Sequence, residues 1–159
     1  MSSRDKTGKL FGIGAGSELT PSIRAFRTTL MLAQKLRYEM DERLRADGLT
    51  TQQAALITAV KAMGKPSLAE AAAALGTTHQ NVAQIVAALQ RKELLQVEPD
   101  PADRRRKLLS ATNTSTAYWR KRDAGDFAAV DDWFADLSPA ELETFCELAD
   151  RVISRLDRG

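Results

Sequence analysis

Three consecutive arginines stand near the middle of the chain, in the stretch DPADRRRKLL that runs from Asp100 to Leu109. Guanidinium groups pair well with phosphate oxygens and suit the negative potential of narrow DNA minor grooves. The same run is also compatible with a solvated loop tip that only keeps the chain soluble. Which interpretation holds depends on the elements that carry the arginines.

Composition limits the function classes. The chain has 159 residues and a net charge of +2, so a basic surface for nucleic acid must be local. No apolar run is long enough for a transmembrane helix, and the N-terminal MSSRDKTGKL lacks the apolar core of a signal peptide. A single cysteine and a single histidine are too few for a disulfide framework or a His/Cys zinc cluster. We therefore expect a cytoplasmic protein with no metal, no cofactor and no membrane partner.

The first residues predict a flexible tail over 1–18. It contains GIGAGS at Gly12–Ser17, whose spacing superficially resembles a nucleotide-binding turn, but no strand precedes it and no βαβ unit follows. Thr20 and Pro21 then supply an N-cap and a proline at the first helical position. Apolar residues at helical spacing predict one long amphipathic helix from there to about Ala46.

Further helix starts carry capping-box spacing, in which Ser or Thr is followed three residues later by Glu or Gln. One such box alone is weak evidence, but several close together favour helix-turn-helix packing. The boxes predict helices that open at Thr50 with Gln53, at Ser67 with Glu70, at Thr77 with Gln80, and at Ser138 with Glu141.

The pattern after the third box changes from helical to alternating. Leu95 to Glu98 alternates apolar and polar residues as a half-buried strand does, and Lys107 to Ala111 can form the returning strand of a hairpin. Asn113 or Thr114 can cap the next helix, which Gly125 can kink. The sequence thus predicts a mainly α fold with a small β-hairpin.

The short helix, turn, second helix and hairpin over Ser67 to Ala111 have the order of a winged helix-turn-helix. We expect one domain over 19–159, with a DNA-binding head at about 49–112 between dimerisation helices at about 20–46 and 114–157. These flanking helices carry more apolar positions than a lone three-helix head can cover, although some of those positions must serve the intrachain core. The candidates for a homodimer interface are Phe26, Leu30, Trp133, Phe134, Leu142, Phe145 and Val152.

The second helix of such a unit lies in the DNA major groove, where its N-terminal side chains reach base edges. Asn and Gln can pair with adenine and the Thr methyl can pack on thymine, so the sequence predicts operators that are A·T-leaning at the contacted positions. The candidate base-reading residues are Thr78, His79, Gln80, Asn81 and Gln84. Helix capping by Thr77 or Thr78, with Gln80 as partner, accounts for part of this pattern without DNA.

In this setting the arginine run occupies the tip of the wing, beside the adjacent minor groove, which favours DNA contact over plain solubility. Arg104, Arg105 and Arg106 can each meet a phosphate or the minor groove, or remain in solvent. Asp103 can brace one of the arginines through a charge-assisted pair. These four residues complete the candidate DNA-binding set.

Three stretches between Leu49 and Thr112 are similar to those of a known family. LTTQQAALITAV resembles the helix that opens the family's DNA-binding head, SLAEAAAALGTTHQNVAQIVAALQRKELLQV resembles its helix-turn-helix, and PDPADRRRKLLSAT resembles its wing. The family is that of the MarR-type transcriptional regulators (multiple antibiotic resistance regulator). Its Asp-x-Arg wing motif maps onto Asp103 and Arg105, and Arg104 fits the frequent DRR form. The resemblance therefore implies Arg105 in the minor groove, with Arg104 and Arg106 at phosphates or in solvent.

Three positions depart from the family pattern. Glu93 stands where the family commonly has Gly, between the recognition helix and the first strand. If the backbone there is left-handed, a glutamate destabilises the fold by about 1 kcal/mol. Ala111 replaces the usual Leu, and the Gly that often follows Thr112 is missing.

The resemblance implies a homodimeric regulator on a pseudo-palindromic double-stranded operator, and a repressor that a small aromatic or amphipathic effector releases from DNA. Arg27, Met31 and Tyr38 are candidates for lining an effector cleft. Some relatives sense oxidants through cysteine. Cys146 follows Phe145 in an apolar helical pattern, so we predict a buried structural thiol instead.

Two other function classes are weighed against this one. A helical protein-interaction module can use the same fold without specific DNA binding. An enzyme has little support, because the sequence holds no P-loop, metal-ligand set or nucleophile elbow, although a carboxylate-only enzyme leaves no such signature.

Overall fold

The computed structural model describes residues 18–158, which fall into two compact units, the first ending at Ala111 and the second starting at Thr112. Over these residues the fold is mainly helical with one two-stranded antiparallel hairpin, which confirms the predicted winged helix-turn-helix class. The predicted tail and its GIGAGS segment lie outside the described residues, apart from Glu18.

The first unit contains most of the elements. Its order is a long helix, a short 3-10 turn at Arg45–Asp47, three further helices and the hairpin. The elements are α1 (Pro21–Leu44), α2 (Thr51–Met63), α3 (Leu68–Ala74), α4 (His79–Arg91), β1 (Leu95–Pro99) and β2 (Lys107–Ala111). The second unit consists of α5 (Asn113–Trp133) and α6 (Pro139–Leu156).

Local capping explains where most helices begin. Thr20 caps α1 by accepting a hydrogen bond from the amide of Ile23, with Pro21 at the first helical position. The predicted capping boxes at α2, α3 and α6 are confirmed. In each box the N-cap hydroxyl accepts a hydrogen bond from the backbone amide of the Glu or Gln three residues later. The side chain of that Glu or Gln accepts one from the backbone amide of the N-cap residue.

The predicted capping box at the start of α4 is wrong. Thr78, not Thr77, is the N-cap, and its Oγ1 accepts from the amide of Asn81 at 3.2 Å. No reciprocal bond from Gln80 closes a box. Two adjacent threonines compete for the same role, and a local pattern does not decide between them.

The start of α5 also differs from the prediction. Thr112 caps this helix by accepting from the amide of Ser115, so neither Asn113 nor Thr114 is the cap. The helix then runs without interruption through Gly125, where a kink was possible. Strand β2 ends at Ala111, and Thr112 directly after it has the extended backbone conformation of an N-cap residue.

A left-handed residue forms the turn between α4 and β1. Glu93 has φ +57°, the only positive φ of a non-glycine residue in the described part of the chain. Its amide donates to the carbonyl of Gln90 at 2.9 Å, and the amide of Leu94 donates to the carbonyl of Leu89. The turn expected from the family's glycine is therefore present here, with a glutamate in its place.

The hairpin pairs Leu95 with Ala111 at one end and Pro99 with Lys107 at the other. On its other side, β2 receives one further contact, because the amide of Leu109 donates to the carbonyl of Pro66 at 2.8 Å. Apolar side chains from α1 to β2 form the core beneath it: Leu44, Leu49, Leu56, Ile57, Val60, Val82, Val86, Leu89, Leu95 and Leu109.

The last helix, α6, contains no buried residue. The prediction that Cys146 is a buried thiol is therefore wrong, because its side chain is exposed. Helical spacing identifies an apolar face correctly, but it does not show whether anything in the same chain covers that face.

Among residues 18–158, none of the helices combines the length and the apolar character that a bilayer crossing requires.

Candidate nucleic-acid interface

The N-terminal turn of α4 presents polar side chains of two kinds. His79, Gln80 and Gln84 are exposed and make no side-chain hydrogen bond within the described part of the chain. Their donors and acceptors are therefore available for an outside partner.

Two other candidate readers on α4 have roles within the fold. Thr78 Oγ1 is the helix cap, and the side-chain amide of Asn81 donates to Thr77 Oγ1 at 2.9 Å. Asn81 is also half-buried. The capping explanation thus applies to these two residues, and an outside partner would meet them with part of their hydrogen-bonding capacity already used.

The wing tip is a short loop shaped by two aspartates. Asp100 Oδ1 accepts from the amide of Ala102 at 2.9 Å, and Asp103 Oδ1 accepts from the amide of Arg105 at 3.0 Å. Such aspartate turns are a common way to fix a tight loop. Asp103 is therefore a brace, as predicted, but it binds the backbone of the loop rather than a guanidinium.

Arg104 and Arg105 are exposed, and their guanidinium groups have no carboxylate partner among the described residues. Arg105 also carries the position of the family's wing arginine. Both side chains are therefore available for phosphate or groove contacts.

Arg106 differs from its two neighbours. Its Nη2 donates to Glu70 Oε1 at 2.7 Å, and its Nε lies 3.8 Å from Asp100 Oδ2. Arg106 is exposed, as one of the two predicted settings requires, but a phosphate would have to compete with these carboxylates. No local pattern indicates the contact with Glu70, because Glu70 lies on α3, far from the wing along the chain.

Glu70 has an unusually low pKa. The backbone amide of Ser67 donates to the carboxylate, Arg106 donates to it as well, and the Ser67 hydroxyl adds a third bond; together these lower its pKa from 4.5 to about 2. The same carboxylate raises the pKa of Arg106 above its ordinary value. Both groups therefore remain charged throughout the neutral range.

A groove of about 550 Å³ brings the recognition helix and the wing together within the first unit. His79 and Gln90 of α4 line one side of it, and Arg105, Arg106 and Lys107 line another. Lys107, which the sequence pattern indicates only as the start of a strand, is exposed and adds a further cation. The groove thus places cations of the wing beside the first turn of α4, with apolar residues such as Val86 and Val97 along the rest of its lining.

The other predicted sites are distributed along the long helices. Arg27 and Tyr38 are exposed on α1 and Met31 is half-buried there. Among the predicted interface residues, the rings of Phe134 and Phe145 lie 6.5 Å apart within the second unit. Of this set, Phe26, Leu30, Phe145 and Val152 are exposed, whereas Trp133, Phe134 and Leu142 are half-buried.

Comparison with known proteins agrees with this geometry. A sequence model of the MarR family matches residues 47–106, which span α2, both helices of the helix-turn-helix and the wing tip. No curated protein sequence matches the chain.

Solved structures resemble the chain over most of its length. The MarR/EmrR family transcriptional regulator from Acinetobacter sp. ADP1 has a TM-score of 0.77 at 16% identity, over 89% of this chain and 100% of that one. MepR from S. aureus, solved as a DNA complex, has a TM-score of 0.72 at 23% identity, over 87% and 99%. The PcaV transcriptional regulator from Streptomyces coelicolor, solved with its natural ligand, has a TM-score of 0.66 at 25% identity, over 77% and 89%.

The winged helix-turn-helix, with exposed polar residues on α4 and cations on the wing, defines a DNA-binding transcription regulator. The DNA-binding head matches the sequence model of the MarR family, and the chain shares the fold of solved MarR-family regulators. The proteins that the chain resembles are transcription regulators, and the comparisons lend no support to the enzyme alternative.

Proposed function

We propose that this protein binds a pseudo-palindromic DNA operator as a homodimer and represses transcription until a small ligand releases it. In this proposal α4 enters the major groove, and the wing reaches the adjacent minor groove. The DNA-binding head is the region of about 49–112, within a single domain over 19–159. A regulator of this kind works where the chromosome is, so we also propose a cytoplasmic location.

The groove between α4 and the wing is the observation that carries this proposal. His79 and Arg105 line the same groove although they belong to different elements. Gln80 and Gln84 lie within the first turns of the same helix, with unused hydrogen-bonding groups. We assign base reading to His79, Gln80 and Gln84, and DNA backbone or minor-groove contacts to Arg104 and Arg105.

The remaining members of the predicted DNA-binding set receive supporting roles. Thr78 and Asn81 are first of all capping residues, although the Thr78 methyl and the rest of the Asn81 amide can still meet a base edge. Asp103 shapes the tip. Arg106 has a different role from Arg104 and Arg105, because carboxylates bind its guanidinium group.

The exposed apolar faces of the long helices support the homodimer. Phe26 and Leu30 are one turn apart on α1, and both are more than half exposed. On α6, Phe145, Leu148 and Val152 form a similar stripe. Exposed apolar stripes of this size are typical of protein interfaces, and a second copy is the partner that the two-fold operator requires.

The proposed effector site lies on α1. Arg27, Met31 and Tyr38 recur on one face of α1, so a small acid or amphipathic compound can meet a cation and two apolar groups together. PcaV was solved with its natural ligand, which supports ligand control in a relative of this fold.

Selection of duplexes from a random pool, followed by sequencing, tests the proposal. We expect enrichment of an inverted repeat with half-sites about one helical turn apart and A·T-leaning contacted positions. A strict G·C core would contradict the assigned readers, and no enrichment would contradict specific binding.

Salt dependence of binding separates the leading function from the alternative, a protein-interaction module on the same fold. Phosphate contacts make DNA affinity fall steeply as salt rises. A module that binds protein alone would show no such duplex binding. Adding candidate aromatic acids to the same assay then tests release by an effector.

A further inference from the structure

Arg106 is the arginine of the wing that carboxylates hold in place, and we propose that it is a positioning residue rather than a DNA contact. Through Glu70 it fixes the wing tip to the start of α3, and so sets where Arg104 and Arg105 stand relative to α4. This inference rests on the proposed DNA-binding function and names a device that tunes it.

Glu70 is itself fixed by the helix that carries it. Its Oε2 accepts from the amide of Ser67 at 2.7 Å and from the hydroxyl of Ser67 at 2.9 Å. This capping box leaves Oε1 facing the wing, where Arg106 Nη2 donates to it. The two oxygens thus serve two elements, and the carboxylate has little freedom to follow a moving wing.

Arg106 is fixed equally well from the side of the wing. Its amide donates to the carbonyl of Asp103 at 2.8 Å, and its own carbonyl accepts from the amide of Asp100 at 2.8 Å. The strand ladder ends one residue later, with the pair of Pro99 and Lys107. Arg106 therefore closes the base of the tip, and its side chain connects that base to α3.

The connection reaches the recognition helix through α3. Ala71 and Ala72 of α3 are buried, as are Val82 and Val86 of α4, so the two helices share the core of the first unit. A link from the tip to α3 is thus a link to the helix that reads DNA. We refer to Glu70, Arg106 and Asp100 as the wing clip.

The charge of Glu70 makes the proposal testable, because two explanations predict opposite changes in the DNA affinity of Glu70→Gln. A carboxylate near the DNA face repels phosphates, so simple electrostatics predicts that Glu70→Gln strengthens binding. The wing clip predicts the opposite, because the variant releases Arg106. Glutamine is an accepted residue at this position of a capping box, so α3 keeps its cap.

The probe is a fluorescein-labelled duplex enriched from a random pool by the wild-type chain, and the measurement is fluorescence anisotropy. We expect Glu70→Gln and Arg106→Ala each to weaken binding by about two- to fivefold, the range of an exposed ion pair. The double variant should bind the duplex with the same affinity as the single variant of lower affinity, because the two substitutions remove the same link.

Glu98→Gln is the matched control. Glu98 lies on β1 and its carboxylate is 3.2 Å from Lys65 Nζ, so it too is an exposed wing carboxylate with a cation partner. It holds no capping box and does not contact the tip arginines, so its variant should bind as well as the wild type or better.

Hydrogen–deuterium exchange without DNA supplies a second measurement. The amides of Arg105 and Arg106 should exchange faster in both clip variants, whereas the amides of α2 and α4 should be unchanged, which also shows that the variants fold. Tighter binding by Glu70→Gln, with unchanged exchange at the tip, would overturn the proposal. If the wild-type chain enriches no duplex, the proposed function fails and the clip has no DNA role.

Discussion

The side-chain amide of Asn81 donates to Thr77 Oγ1 at 2.9 Å, across the threonine that caps the same helix. Asn81 thus ties the turn before α4 to the first turn of the helix. Gln84, about one turn further on, is exposed and makes no such bond within the described part of the chain. Two amide side chains of the recognition helix therefore have separable roles.

Replacement of these two residues should separate stability from recognition. We expect Gln84→Ala to weaken binding to a selected duplex by about 1–3 kcal/mol, with unfolding unchanged within about 0.5 kcal/mol. Asn81→Ala should lower the free energy of unfolding by about 0.5–1.5 kcal/mol, because it removes a hydrogen bond at the cap. Urea denaturation and fluorescence anisotropy measure the two effects. Equal losses on selected and shuffled duplexes would remove Gln84 from base reading.

Arg105→Ala should weaken DNA binding by about 1–3 kcal/mol and lower the salt slope by about one unit, because a phosphate or groove contact is lost. Titrations of one duplex at a series of salt concentrations measure both quantities. Arg120→Ala, at an exposed arginine of α5 outside the proposed interface, is the matched control and should change neither. Unchanged affinity in Arg105→Ala would exclude the wing from the mechanism.

The left-handed backbone at Glu93 predicts a stabilising substitution. Glu93→Gly should raise the free energy of unfolding by up to about 1 kcal/mol, because glycine adopts a positive φ without a steric cost. Glu93→Ala removes the same side chain and keeps the strain, so it should not stabilise. Thermal unfolding of the two variants distinguishes these outcomes, and equal melting temperatures would show that φ is not the cause.

The low pKa of Glu70 predicts how stability changes in acid. The folded-state pKa is about 2 against an ordinary value of 4.5, so the charged carboxylate stabilises the fold above that ordinary value. This contribution should disappear as the pH falls from about 5 to about 2. The free energy of unfolding should then fall more steeply for the wild type than for Glu70→Gln, as measured by urea denaturation at each pH. If the free energy of unfolding changes with pH in the same way for both proteins, the Glu70 carboxylate does not stabilise the fold through its charge.

The proposed homodimer predicts that Val152→Asp shifts the protein to monomers in sedimentation experiments. Val152 is 61% exposed, so a charge there should leave the single chain folded while opposing an apolar interface. Ser154→Asp is the matched control, since two residues along a helix correspond to a rotation of about 200°. A dimer that survives both substitutions would place the interface elsewhere.

Local signals predicted most of the fold. The hydroxyl and carboxylate of a capping box lie within four residues, so Ser67 with Glu70 and Ser138 with Glu141 were visible in the sequence. The same signals failed where neighbouring residues competed. Gln80 closes no capping box at α4, and Thr112 caps α5 in place of Asn113 or Thr114.

The candidate site could be predicted only in part, because some contacts join distant residues. Arg104 and Arg105 are exposed as expected, whereas Arg106 meets a carboxylate on α3 that no local pattern connects with the wing. The prediction that Cys146 is buried was wrong for a related reason. The helical spacing of apolar residues identifies an apolar face, but whether that face is buried depends on which other element packs against it.

Strand β2 has neighbours on both sides, β1 along one edge and the Pro66–Ser67 segment on the other. An open strand edge is a template for pairing with another chain, and it promotes aggregation. Proline supplies a carbonyl but no N–H, so this second pairing stops after a short contact and does not extend the sheet. The segment that leads into α3 therefore also shields the β2 edge of the wing from association with strands of other molecules.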